Sequence, residues 1–154
     1  MKKLALLGMC LLMMGFASLK ETQFFSLKDT KGEAVELKSF LQNHKAVLVN
    51  FWATWCPPCR EEIPGLIDLQ TKYKDKGFSV LGVDVGESSK KVESFMAKLG
   101  INYPVVLDTE NAAAYAYGIV GIPTSLLINA DGKIIGEYHA YTKEIVSDVA
   151  KAVE

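Results

Sequence analysis

An α/β sandwich, with helices flanking a central mixed sheet, is the fold class that this 154-residue sequence predicts. Three observations carry it. Two dense β-branched and aromatic runs, Ala46–Trp52 (AVLVNFW) and Phe78–Val85 (FSVLGVDV), read as strands covered on both faces. Stretches with apolar residues at helical spacing alternate with them. The C-terminal part then carries a hairpin signal, Asn129-Ala130-Asp131-Gly132, between two further apolar runs. Strands alternating with helices and closed by a hairpin and helix bury their apolar faces best as layers around one sheet. Periodicity does not fix the strand order.

The elements follow in order. Phe25 to Leu37, with Asp29-Thr30-Lys31-Gly32 at its centre, suits a small hairpin with a glycine turn. Ser39 is placed to cap a short helical turn reaching about Asn43. After the first buried strand, Ile63, Leu66, Ile67, Leu69 and Tyr73 recur at helical spacing from Pro58 to about Lys76. Pro64 lies inside that helix and is expected to kink it, and Gly77 to end it. Ser89 to Leu99 repeats the pattern through Val92, Phe95, Met96 and Leu99, with Gly100 as its stop. A short strand over Tyr103–Leu107 and an Ala-rich helix over Glu110–Tyr117, closed by Gly118, come next. Thr124–Ile128 and Ile134–His139 are the two hairpin strands, and Thr142–Val153 is the last helix. There is no internal repeat, low-complexity tract or linker.

Residues 1–19 read as a separate object. Lys2-Lys3 precedes the uncharged run Leu4–Leu19, which Lys20-Glu21 ends. Sixteen residues fall short of the roughly 20 that a spanning helix needs, and small residues at Gly15 and Ala17 suit cleavage after Ala17. The expectation is a signal peptide, with an N-terminal membrane anchor and lipidation at Cys10 as the other readings. Each puts residues 22–154, one domain, in a periplasmic or other extracytoplasmic compartment where disulfides form. Cleavage would leave 15 basic residues against 18 acidic, and two of the three cysteines. A near-zero charge balance sets aside a nucleic-acid binder acting through a basic face.

The chemistry lies at Trp55-Cys56-Pro57-Pro58-Cys59, where a buried strand gives way to a helix. A thiol at a helix N-terminus feels the positive end of the dipole, which populates its thiolate. Cys56 holds that place and is expected to be exposed and attacking. Cys59, one turn in, is expected to be shielded and resolving. Pro57 and Pro58 have no N–H, so the Cys59 amide is the main donor left for a Cys56 thiolate. Its pKa depression is therefore expected to be milder than in strongly oxidising CxxC proteins. A structural disulfide across so small a loop adds little stability. Zinc usually needs four ligands, only one cysteine pair exists, and His44 and His139 are lone and far apart in sequence, so no metal is expected. Glu62, three residues after Cys59, lies on a nearby helix face. Partial burial there would raise its pKa towards neutrality and fit it to move the Cys59 proton; a surface acid favouring the helix start is the other reading. Glu61 is one step round and expected to be exposed.

Asn50-Phe51-Trp52-Ala53-Thr54-Trp55-Cys56-Pro57-Pro58-Cys59-Arg60-Glu61-Glu62-Ile63-Pro64 resembles the signature of the TlpA/ResA-like thioredoxins, exported or membrane-tethered thiol–disulfide oxidoreductases. Tyr117-Gly118-Ile119-Val120-Gly121-Ile122-Pro123-Thr124 resembles the thioredoxin-fold segment whose cis-proline faces the disulfide. The resemblance covers nearly all of residues 22–154 and implies a thioredoxin-like sandwich with an N-terminal hairpin and a strand–helix insertion over Ser89–Asn111. It implies a cis bond at Pro123 that aims the Ile122 backbone at an extended substrate chain, with Trp55 and Pro57 beside it. It also favours a functional Glu62. Asn50 stands where ordinary thioredoxins carry a buried acid, which suits this subfamily.

The expected activity is reduction of disulfides in client proteins, with no cofactor. The resemblance implies apocytochrome c as a client, a place in cytochrome c maturation, and a membrane thiol donor of the DsbD or CcdA type. A thiol peroxidase of related fold is the alternative enzyme. It would carry Thr or Ser three residues before the reactive cysteine, where this chain has Ala53. A CxxC metal-binding module is the alternative outside enzymes, and it lacks further ligands near the pair. Oxidase or isomerase activity stays open, because direction depends on reduction potential and on dimerisation.

Overall fold

The computed structural model describes residues 21–154. The readings on residues 1–20, including Cys10 and the cleavage site, lie outside them. Seven strands form one sheet: β1 (Ser26–Asp29), β2 (Ala34–Glu36), β3 (Ala46–Trp52), β4 (Phe78–Val85), β5 (Val105–Asp108), β6 (Thr124–Asn129) and β7 (Ile134–Tyr138). Five helices accompany them: α1 (Leu37–Gln42), α2 (Pro57–Tyr73), α3 (Ser89–Leu99), α4 (Ala112–Ala116) and α5 (Lys143–Ala152). The strand order is β2-β1-β5-β4-β3-β6-β7. The centre β5-β4-β3 is parallel, and β1, β6 and their hairpin partners β2 and β7 add antiparallel flanks. The mixed sheet read from the sequence is thus present, with the N-terminal hairpin docked on β5 at the far edge.

Strand periodicity sorts β3 between two cores. Ala46, Leu48 and Trp52 face the layer holding Ile63, Leu66 and Leu69 of α2, Val92 of α3 and Ile145 and Val149 of α5. Val47, Val49 and Phe51 face the opposite layer, with Leu37 and Leu41 of α1 and Ala113 and Ala114 of α4. Asn50 falls by the same alternation on the α2 side. A buried polar group there needs partners, and it finds them in the site described below.

Several boundaries differ from the sequence reading. Ser39 lies inside α1 rather than capping it; Glu36 is the N-cap residue, and the Ser39 hydroxyl donates back to its carboxylate at 3.3 Å. The second helix begins at Pro57, one residue early, runs through Pro64, and closes in a 3-10 turn over Lys74–Lys76. Proline at the first helical positions removes only N–H groups that the helix leaves unbonded anyway. The fifth strand starts at Val105 rather than Tyr103, since Pro104 has no N–H to give a ladder. The Ala-rich helix is the short α4, and α5 begins and ends one residue inside its predicted range. Gly65 has a packing role. A Cβ there would stand 2.5 Å from the Tyr141 ring, so the missing side chain lets the approach to α5 lie close on α2.

Candidate active site

The parallel β3–β4 ladder brings the chain to the sheet's end at Trp52, and α2 starts five residues later. Cys56 is the N-cap residue of α2, and its sulfur accepts the Cys59 N–H at 3.3 Å. The two prolines between them leave that amide as the donor of the first turn, as the sequence implies. Cys56 and Cys59 are bonded as a disulfide, their Cα atoms 5.3 Å apart. The Ile122–Pro123 peptide bond is cis, and the Ile122 carbonyl oxygen lies 3.7 Å from the Cys56 sulfur. Two segments 66 residues apart in sequence thus meet at the disulfide.

One expectation is corrected. Cys56 is not exposed: it retains 3% of its surface, against none for Cys59. The cis-proline segment packs over it, and Trp55 takes the outward position instead, 63% exposed. Trp55, Val85, Asn111, Ile119, Val120 and Ile122 line a groove of about 320 Å³ beside the disulfide. Val120 stands fully in solvent. Pro57 is exposed at the first turn of α2.

Glu62 faces inward from α2 and is buried, while its neighbour Glu61 is exposed. Asn50 donates through Nδ2 to Glu62 Oε1 at 2.7 Å and to Ser125 Oγ at 2.9 Å. Asn50 and Ser125 are register partners across β3 and β6, which is why one amide reaches both. Burial pushes the Glu62 carboxyl up from 4.5 to about 7, and the Asn50 bond works against that rise. A carboxyl balanced between its two states near neutral pH can take and return a proton. Burial, with the Glu62 charge behind it, also pushes the Tyr103 phenol above its ordinary range.

The sequence reading missed a second set of polar groups. Glu87 accepts the Thr54 N–H at 2.6 Å and the Thr54 hydroxyl at 2.8 Å, so both its oxygens clamp the residue two before Cys56. Lys91, one turn along α3, forms an ion pair with the same carboxylate. Burial works to raise the Glu87 pKa, but the bonds from Lys91 and Thr54 outweigh it and hold it below the ordinary value. Gly86, at φ 79°, makes the left-handed turn that leads from β4 to Glu87. Asp84 is fully buried two residues before that turn. The signal available in the sequence was Asp84 itself, an acid in the otherwise uncharged run FSVLGVDV.

His44 and His139 stand apart from the pair. His44 stacks on Phe40, and His139 Nδ1 lies 3.2 Å from the Thr124 hydroxyl. Among the described residues no cluster of His, Cys, Asp and Glu has the makings of a metal site, and no helix is long and apolar enough to cross a membrane.

Comparison with known proteins agrees with this geometry. Residues 20–136 match the AhpC/TSA family model. The thiol-disulfide oxidoreductase ResA of Bacillus thuringiensis subsp. konkukian is 37% identical over 135 residues, covering 87% of this chain and 77% of that protein. ResA of Bacillus subtilis is 41% identical over 111 residues, covering 72% of this chain and 61% of that one. The crystal structure of the thioredoxin domain of a thiol-disulfide oxidoreductase from Bacteroides vulgatus superposes with a TM-score of 0.79 at 28% identity, covering 90% of this chain and 99% of that one. A disulfide at the start of a helix, a cis-proline against it and a thioredoxin-like sheet behind it place the chain, with these relatives, in the AhpC/TSA family as a ResA-like thiol–disulfide oxidoreductase.

Proposed function

We propose that this oxidoreductase works as a reductant of protein disulfides outside the cytoplasmic membrane, with Cys56 attacking and Cys59 resolving. The observation that carries the reading is the environment of the Cys56 sulfur: a helix N-terminus, with the Cys59 N–H donating to it and the Ile122 carbonyl beside it. So sparse a donor set favours the thiolate only moderately, which suits a reductant better than a strong oxidant, whose thiolate must be held very stable.

The reaction balances as follows. The Cys56 thiolate attacks one sulfur of a client disulfide; that S–S bond breaks, a mixed disulfide forms, and the client's leaving thiolate takes up a proton. Cys59 then gives its proton to Glu62 and attacks the Cys56 sulfur. The Cys56–Cys59 bond forms and the client's second sulfur leaves as a thiolate, which is protonated in turn, with Glu62 returning the proton it holds. Two electrons pass to the client, and a thiol donor must restore them. The groove lined by Trp55, Val120 and Ile122 suits an extended client chain, with cis-Pro123 following Ile122 and Pro57 exposed at the first turn of α2.

The resemblance to the TlpA/ResA-like thioredoxins implies apocytochrome c as client, cytochrome c maturation as setting, and a membrane donor of the DsbD or CcdA type. It also favours an extracytoplasmic location, reached by way of residues 1–19 as signal peptide or tether. The test of the thiol roles is direct. Cys56→Ser should abolish insulin reduction, and Cys59→Ser should accumulate a mixed disulfide visible on a non-reducing gel. Turnover surviving in both variants would mean that the mechanism is wrong.

A further inference from the structure

Asp84 is a buried acid that the exchange reaction does not use. It lies one residue before the end of β4 as the register partner of Trp52, so its side chain shares the face that looks towards α2 and α3. Its exposure is zero, and among the described residues neither carboxylate oxygen has a well-formed hydrogen-bond partner; the Glu87 backbone N–H acts on it and works against the rise in its pKa. Three residues on, past the Gly86 turn, stands Glu87, the carboxylate that clamps Thr54 and acts on Asp84 as hydrogen-bond partner and as charge. Two ionised carboxylates in contact inside a protein repel each other, and the pair is stable only with a proton between them. Glu87 is the member held ionised, since Lys91 and both Thr54 donors bind it. The proton therefore belongs to Asp84.

We propose that Asp84 is a positioning residue for Cys56: as a neutral acid it donates a hydrogen bond to the Glu87 carboxylate and, through Glu87, fixes the Thr54 backbone two residues before the attacking sulfur. The proposal rests on the assignment of Cys56 as that sulfur. Asp84 never touches the client. It completes the set of donors around Glu87, which then holds the turn from β3 into α2. Burial, followed by the Glu87 charge, pushes the Asp84 carboxyl up from 3.8 to about 8, so the neutral form prevails at neutral pH and is lost in mild alkali. The charged groups acting on Asp84 are Glu87 and Lys91. Arg60 of α2 stands over Phe95, the ring packed on Trp52, and the Tyr103 phenol lies across Gly82 on the same face. Ionised Asp84 sets a second negative charge against Glu87, which relaxes the grip on Thr54.

The experiment compares the reduced wild-type protein with Asp84→Asn and Asp84→Val between pH 6.5 and 9.5. The rate of attack on a small aromatic disulfide is divided by the Cys56 thiolate fraction, read from thiolate absorbance in the same samples. The wild type should lose several-fold in rate per thiolate between pH 7 and 9.5. Asp84→Asn keeps a donor that cannot ionise, so its rate per thiolate should stay level across the range. Asp84→Val, with no donor, should be several-fold slow throughout. An alkaline fall in Asp84→Asn equal to that of the wild type would overturn the proposal. So would a wild-type rate and profile in Asp84→Val. The Cys56→Ser control separates the two readings: attack persisting there refutes the sulfur assignment, whereas a failure of the Asp84 series with Cys56→Ser inactive refutes only the positioning role.

Discussion

Glu62 sits where one proton has the most effect. Its carboxyl is buried against Asn50, and its pKa of about 7 means that it changes state within the working range. Glu62→Gln should therefore remove a titration near pH 7 from the pH profile of turnover; an unchanged profile would take Glu62 out of the reaction. Asn50→Ala removes the bond that opposes the rise, so the same titration should move to higher pH. Stability carries a matching sign. Because the folded-state pKa is raised above 4.5, the folded protein holds a proton that the unfolded chain releases. Stability thus falls as pH rises from about 4.5 and levels off above about 7. Between pH 5 and 8 this group should subtract about 2–3 kcal/mol from the stability of the oxidised protein. In Glu62→Gln the pH 5 to 8 loss should shrink by that amount in chemical denaturation, and an equal loss in both proteins would contradict the burial argument.

At the scale of elements, α2 does two jobs. Its first turn presents the cysteines, and its inner face packs Ile63, Leu66 and Leu69 on β3. Leu66 is fully buried, so Leu66→Ala should cost about 2–5 kcal/mol of stability in urea unfolding. A loss below about 1 kcal/mol would mean that the helix packs loosely. The same element shows what is local and what is not. The CxxC spacing and the prolines at the helix start are set within one stretch of chain and were legible from residue order, whereas position alone left Glu62 between an inward acid and a surface one, and the resemblance favoured the first. The Thr54–Glu87 clamp joins residues 33 apart through the β3–β4 ladder, and nothing in the spacing of a lone glutamate announces it. The depth of Cys56 was misread for the same reason, since its cover comes from Ile122 and Pro123 on a distant segment.

For the molecule as a whole, β3 and β4 were readable end to end because a strand buried on both faces leaves a dense apolar run. Helix α3 was equally plain, being amphipathic with a glycine stop in the left-handed region. The strand order was not readable, because periodicity reports which face is buried and is silent on which edge pairs with which. The hairpin of β1 and β2 could have flanked either side, and only the antiparallel pairing of Lys28 with Leu107 and Asp29 with Val106 puts it beside β5. That order leaves the Cys56–Cys59 pair at the end of the central strands, under the cis-proline segment. The central claim is that this pair donates electrons to client disulfides. Its reduction potential, from equilibration with glutathione or a thioredoxin of known potential, tests that most directly. A value near the roughly −270 mV of thioredoxin is the predicted result, and one near the roughly −120 mV of strong oxidants would contradict it.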